Sequence, residues 1–168
     1  MFDDEEHASL EEKNFNTLKT EILWYSGTAS GSDLIPGLGL VSVPAIQAKL
    51  LHCLANQYGV EWNKRTFSEV IGTLGAGFGL QYGLKLGTRQ LIKFIPGYGQ
   101  TVGAVTAAAM SFATTYALGR VACKYFYHKS KGESISDDEM QDLYKSAFSK
   151  GKKVADAESK VKEVTYVK

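Results

Sequence analysis

The residues of this chain that first invite a chemical role are its glycines, because glycine-rich loops cradle phosphate groups. The segment Gly75-Ala76-Gly77-Phe78-Gly79-Leu80 lacks the third glycine of the dinucleotide-binding pattern, and no predicted strand precedes it. A phosphate-binding loop also needs Lys-Ser or Lys-Thr directly after its last glycine, and no glycine of this chain is followed by either pair. We therefore expect no nucleotide site and no cofactor.

The other candidates for catalysis or metal binding are dispersed along the chain. His7, His52 and His128 pair with no Cys, Asp or Glu at a metal-ligand spacing. Cys53 and Cys123 match no metal or redox spacing, which predicts two small thiols that are buried or half-buried in helices. No serine lies in a nucleophile elbow. We expect no metal site, no catalytic residues and a protein that is not an enzyme.

Small residues recur at every fourth position in two successive runs, and this spacing places each run on one face of a helix. The first ladder is Gly75, Gly79, Gly83 and Gly87, and the second ladder is Gly99, Gly103, Ala107, Ser111, Thr115 and Gly119. A face with so little side chain allows another helix to approach closely. Both ladders are therefore predicted to be surfaces for helix packing or membrane interaction.

A Pro-Gly frame precedes each half of the glycine-rich region. Ile35-Pro36-Gly37-Leu38-Gly39 reappears sixty residues later as Ile95-Pro96-Gly97-Tyr98-Gly99, and the same offset aligns Gly59 with Gly119. This repeat predicts an internal duplication of two helical hairpins, with Ile35-Pro36-Gly37 and Ile95-Pro96-Gly97 at their turns. The alternative is that Pro-Gly is simply a common way to enter a helix.

Apolar stripes at helical spacing predict an all-α bundle of about five to six helices, built around the two glycine-rich hairpins. The predicted helices span about 10–25, 43–58, 63–93, 98–128 and 136–151. The starts of the first and last predicted helices carry sequences typical of a capping box, Ser9–Glu12 and Ser136–Glu139.

The run of turn-forming residues Ser26–Asp33 is predicted to be a flexible linker. This divides the chain into an acidic N-terminal helix with its linker (1–31), a glycine-rich helical domain (32–153) and a basic C-terminal tail (154–168).

The net charge of +1 hides an uneven distribution. Residues 1–33 carry a net charge of −6, residues 34–119 carry +4 and residues 120–168 carry +3. The acidic head could attract the basic remainder, or the basic part could face an anionic partner such as a membrane. Acidic residues offset the lysines of the tail, so we do not expect nucleic acid as a partner.

An uncharged run of 26 residues, 94–119, is long enough to cross a bilayer, which takes about 20 residues. Its Ser, Thr, Ala and Gly content is equally typical of a buried central helix. Arg120, Lys124, Tyr125 and Phe126 follow this run, and such a mixture is typical of a membrane interface or of an exposed helix end. No secretory signal begins the chain, so we expect a cytoplasmic protein associated peripherally or integrally with a membrane.

Several short motifs follow one another in a recognisable order between Ser32 and Lys153. They are Ile35-Pro36-Gly37, Pro44–Leu51, Tyr58-Gly59-Val60, Leu74–Gly77, Ile95–Gly99, Ala117–Arg120, Tyr125-Phe126, Asp142–Lys145 and Gly151-Lys152. Their order and spacing resemble the uncharacterised GTPase-associated helical domain family, whose members are fused behind small GTPase domains or occur as separate, often membrane-linked proteins.

The resemblance implies an all-α domain linked to GTPases or membranes, with no catalytic residues. This chain has no GTPase domain of its own, so a GTPase partner would act in trans. Two functions stay open at this point. One is a non-enzymatic module that binds a membrane, or a membrane-acting GTPase, through its small-residue hairpins. The other is a soluble adaptor or self-assembling bundle whose ladders pack internally.

Overall fold

The computed structural model describes residues 2–32, 38–74 and 104–166. Within these ranges the chain forms five helices and no strand: α1 Phe2–Ser32, α2 Leu38–Gln57, α3 Lys64–Thr73, α4 Ala104–Ser130 and α5 Asp137–Tyr166. The predicted all-α class is confirmed. The predicted turns Ile35-Pro36-Gly37 and Ile95-Pro96-Gly97 and the first ladder lie outside the described residues, so the paired hairpins and the duplication stay predictions.

The central element of the bundle is α4, which packs along α1 and α5 and also contacts α2. Its sequence explains this position, because the helix carries no charged residue before Arg120 and can be surrounded by apolar side chains. Phe126 of α4 is fully buried, as are Ile22 of α1, Leu54 of α2 and Met140 of α5. One hydrophobic core therefore joins the four long helices.

The first helix is longer than predicted at both ends. It begins at Phe2, so the predicted capping box at Ser9–Glu12 lies inside it, and it continues to Ser32 through the predicted flexible linker. The linker prediction was wrong because tertiary packing outweighs the weak helix propensity of Ser and Gly. Ser26 is fully buried and donates a hydrogen bond to the carbonyl of Ile22 at 2.7 Å. The division of the chain into three segments stays a prediction.

The second helix begins five residues earlier than predicted, so Pro44 lies inside α2 rather than in its first turn. Gly59 follows the helix with a φ of +67°, a conformation that favours glycine, and the amide of Val60 donates to the carbonyl of Ala55 at 2.9 Å. Gly119, which the sixty-residue repeat aligns with Gly59, lies in the middle of α4. The two aligned glycines therefore have different structural roles.

The third helix is shorter than predicted. Asn63 caps its start by accepting a hydrogen bond from the amide of Thr66 at 2.9 Å. The helix ends at Thr73 with the buried Leu74 as its C-cap, so the prediction of one continuous helix over 63–93 was wrong at this point. Glycine costs about 1 kcal/mol relative to alanine inside a helix, which disfavours continuation into the glycine run.

The last helix starts where its capping box predicts. The amide of Glu139 donates to the hydroxyl of Ser136 at 3.3 Å. The helix continues to Tyr166, beyond the predicted end at Gly151. Gly151 allows α5 to approach α4 closely, because a Cβ atom at this position would lie 3.0 Å from Cα of Ala113.

Candidate functional site

A charged seam runs along the interface of α4 with α1 and α5. Arg120, Lys124 and His128 are four residues apart on α4 and so form one stripe. Four carboxylates face this stripe, two from α1, one from α5 and one from the turn that precedes α5. They are Glu11, Glu12, Glu139 and Glu133.

Each basic side chain of the seam lies 2.7 Å from a carboxylate of its own. The pairs are Arg120 with Glu12, Lys124 with Glu139, and His128 with Glu133. These three acidic side chains are partly solvated, so solvent screening weakens each pair. The pairs join α1, the turn before α5 and the start of α5 to α4, and each contributes modestly to stability.

Glu11 differs from the other three carboxylates because all three basic side chains share it. Its oxygens lie 3.7 Å from Nη1 of Arg120, 3.3 Å from Nζ of Lys124 and 3.6 Å from Nε2 of His128. The Glu11 side chain is only 13% exposed. Nη1 of Arg120 and Nε2 of His128 are buried and have no hydrogen-bond partner among the described residues. The charge of Glu11 offsets the charge of the Arg120 guanidinium at this distance.

Apolar and weakly polar groups line the inner side of the seam. The guanidinium carbon of Arg120 lies 4.0 Å from the centre of the Phe15 ring, a favourable cation–π contact. Burial raises the pKa of the Cys123 thiol to about 12 and also raises the pKa of Tyr58. Both side chains are therefore protonated and uncharged at neutral pH. They contribute packing contacts to the seam and add no charge to it.

The second cysteine is equally unreactive. Sγ of Cys53 donates to Oε1 of Glu21 at 2.9 Å, and burial together with this hydrogen bond raises the thiol pKa to about 11. A nucleophilic cysteine requires a lowered pKa. The prediction of two free thiols that are buried or half-buried is confirmed, since Cys53 is half-buried and Cys123 is buried.

A second charged cluster joins α3 to α4 around Glu69. Its carboxylate accepts hydrogen bonds from Lys129, from the Tyr125 hydroxyl at 2.7 Å and from Arg65 at 2.8 Å. These three donors, Lys129 first, lower the pKa of Glu69 to about 2. The cluster anchors the short helix α3 to the central helix.

The four residues predicted to form a basic and aromatic interface are all engaged inside the bundle. Arg120 and Lys124 belong to the charged seam, and Tyr125 donates to Glu69. Phe126 is fully buried, with its ring centre 6.5 Å from that of Tyr58. A membrane role for these four side chains stays a prediction.

The described part of the second ladder packs against protein. Ala107, Ser111, Thr115 and Gly119 are all buried. A Cβ atom on Gly119 would lie 2.7 Å from Cγ2 of Ile22, so α1 approaches α4 closely there. Nε2 of Gln47 on α2 donates to Oγ1 of Thr115 at 3.0 Å. Gly99 and Gly103 lie outside the described residues.

The carboxylates of both clusters were missed as interaction residues. Glu12 follows Ser9, and Glu69 follows Thr66, at the spacing of a capping box, while Glu11 lies inside the first of these two patterns. Two features of the sequence pointed to the seam. Residues 1–33 carry a net charge of −6, and basic residues four apart follow the uncharged run 94–119.

Two further properties of the described residues bear on function. No group of His, Cys, Asp or Glu among them is arranged to hold a metal ion. None of the described helices combines the length and the apolar character needed to cross a bilayer.

Comparisons with known proteins place the chain in a family. No established family profile and no solved structure matches it. Magnetosome membrane protein 22 of Magnetospirillum gryphiswaldense is 31% identical over 141 residues, which cover 83% of this chain and 71% of that protein. The name of this relative agrees with the link to membranes that the family resemblance implies, and it mentions no GTPase. The chain belongs to the family of magnetosome membrane protein 22.

Proposed function

We propose that this chain is a non-enzymatic helical protein that associates reversibly with a membrane. The observation that carries the proposal is its relationship, over most of its length, to a protein named as a magnetosome membrane protein. The charged seam supports the non-enzymatic part. Its basic side chains pair with carboxylates and hold helices together, while both cysteines have raised pKa values.

The small-residue segment 75–103 is the part that we assign to membrane contact. The described second ladder is already occupied by protein contacts, such as that of Gly119 with Ile22. The sequence of segment 75–103 contains Lys85, Arg89 and Lys93 and no acidic residue. Basic residues among apolar ones favour binding to anionic lipid.

Flotation of the chain with phospholipid vesicles tests the proposal. We expect the protein to rise with vesicles that contain anionic lipid at low salt, and less so with zwitterionic vesicles. Protein that stays in the soluble fraction with both vesicle types would contradict it. A charge-reversal variant tests the segment: K85E/R89E/K93E should float less than the matched control K145E/K150E/K152E, whose lysines are exposed on α5.

One observation favours a second function, a soluble adaptor or self-assembling bundle in which both ladders pack internally. Ala107, Ser111 and Thr115 are buried, so at least this part of the second ladder packs in that way. This function predicts that Gly83→Leu sharply lowers the melting temperature in buffer without lipid. An unchanged melting temperature would argue against internal packing of the first ladder. Light scattering of the purified chain would report self-association directly.

A GTPase acting at the same membrane is the protein partner that we propose from the family resemblance. The proposal has no further support in the contacts of the described helices. A tagged chain should capture a GTPase from native cells, with a yield that depends on whether GTP or GDP is added. Capture of no GTPase under either condition would remove this partner and leave membrane association unaffected.

A further inference from the structure

The outward face of α2 carries two of the three most exposed large apolar side chains among the described residues, and the third is Trp24 on α1. On α5, by contrast, exposed positions carry charges such as Asp142, Lys145 and Lys152. On α2, the exposed residues at helical spacing begin with apolar side chains, and we call this stripe the outer α2 face. It consists of Leu38, Val41, Ala45, Lys49, His52 and Asn56.

The outer α2 face is strongly exposed at its apolar end. Val41 is 74% exposed and Leu38 is 45% exposed. The opposite side of the same helix buries Val43, Leu50 and Leu54 in the core. In its N-terminal half α2 is therefore apolar on both sides, and an exposed apolar patch of this kind is expected to have a partner.

Aromatic rings extend this face to the start of α3. The His52 ring stacks on Trp62, with 6.1 Å between the ring centres. Trp62 meets Phe67 edge-on at 6.0 Å, and Phe67 is itself 41% exposed. Trp62 is half-buried and packs partly against the core, and tryptophan is one of the side chains that favour the interface between lipid and water.

The charge on this face is positive. The helix α2 contains no acidic residue, and Lys49 is exposed on the stripe. At the aromatic end, the exposed Lys64 balances the exposed Glu61, while Arg65 is paired with Glu69 at 2.8 Å. An anionic surface would therefore meet a net positive charge here.

We propose that the outer α2 face docks onto an anionic lipid surface, with Val41 and Leu38 in contact with the lipid and Lys49 near the headgroups. The inference rests on the proposed function and names a second contact surface for it, beside segment 75–103. Apolar and aromatic side chains with lysine and no acidic residue on the helix suit a lipid interface. A second copy of this chain would bring two positively charged faces together, which disfavours that occupant.

A pair of valine variants tests this surface. Val41→Asp places a negative charge on the outer α2 face, and Val154→Asp places the same charge at another exposed valine, on α5. In flotation with mixed zwitterionic and anionic vesicles, we expect V41D to lower vesicle binding by about tenfold or more, because an apolar contact with lipid is lost. We expect V154D to bind like the wild type.

A second variant keeps the test informative if V41D disturbs folding. Lys49→Glu should weaken vesicle binding, and the difference from wild type should shrink as salt is added. The matched control is Lys150→Glu, which reverses an exposed charge on α5. The same variants are followed by circular dichroism, and unchanged melting temperatures would assign the loss of binding to the surface.

The outcomes separate this inference from the proposed function. If V41D and K49E float as well as the wild type does, the outer α2 face is not the lipid contact. Membrane association of the protein would then still stand. Wild-type protein that does not float would overturn both. A wild-type dimer in lipid-free buffer that V41D converts to a monomer would identify the face as a contact between copies and would also overturn the inference.

Discussion

The carboxylate of Glu11 lies 3.3 Å from the ammonium group of Lys124 and so joins the first helix to the central one. The same carboxylate lies within 3.7 Å of Arg120 and within 3.6 Å of His128. The acidic head of the sequence is thus a structural partner of the first basic residues that follow the uncharged run. This pairing keeps α1 on α4, and it occupies basic residues that would otherwise suit a membrane.

Glu11 should contribute more to stability than its neighbour Glu12. Glu11→Gln removes the carboxylate charge that faces two buried nitrogens, Nη1 of Arg120 and Nε2 of His128, and leaves only the partly solvated Glu12 and Glu133 beside these side chains. We expect a loss of about 2 kcal/mol in the free energy of unfolding. Glu12 is 54% exposed, so Glu12→Gln should cost less than about 1 kcal/mol. Urea unfolding of both variants measures the difference. Equal losses would show that Glu11 is not the shared partner of the seam.

Alanine is expected to have opposite effects at two glycines, because only Gly119 lies where α1 approaches α4 closely, whereas Gly72 has open space around it. Gly119→Ala places a methyl group 2.7 Å from Cγ2 of Ile22 and should destabilise the fold by about 1–3 kcal/mol. Gly72→Ala in α3 meets no atom within 4 Å, and should stabilise it by about 0.5–1 kcal/mol because alanine is the better helix former. Thermal unfolding compares the two. A neutral Gly119→Ala would contradict the close contact.

The Glu69 cluster predicts a dependence of stability on pH. The pKa of Glu69 is about 2, below its ordinary value of 4.5, so its ionised form favours the folded state. This stabilisation is fully present above about pH 4.5 and is lost as the pH falls towards about 2. The gap in melting temperature between wild type and Glu69→Gln should therefore be widest near neutral pH and should narrow in acid.

The control for this pH dependence is Glu61→Gln, at an exposed position shortly before α3. The difference in melting temperature between Glu61→Gln and the wild type should stay small over the same pH range. A gap for Glu69→Gln that stays constant from neutral pH to about pH 3 would contradict the assigned role of Glu69.

The sequence was sufficient to predict the helical class and the positions where local chemistry dominates. Ser136 caps α5, and Gly59 adopts a positive φ directly after α2, both as local rules require. The burial of Ala107 and Ser111 matches one of the two environments that the sequence left open for the uncharged run, a buried helix or a bilayer.

Features that depend on tertiary contacts could not be predicted in the same way. Ser26 and Gly27 are weak helix formers, yet α1 continues through them because Ser26 and Ala29 are buried. Glu12 has the spacing of a capping residue relative to Ser9, and only the packing of α1 along α4 brings Glu11 and Glu12 to Arg120. The seam was visible in the sequence as opposite charges on distant segments, without any indication of which residues meet.

Fractionation of native cells shows whether the protein associates with membranes where it is naturally made. Cells are lysed gently at low salt, membranes are separated on a density gradient, and the chain is detected with an antibody. We predict that the protein is found with the membranes and that high salt releases part of it, because basic residues contribute to binding. Protein found wholly in the soluble fraction at low salt would contradict the account.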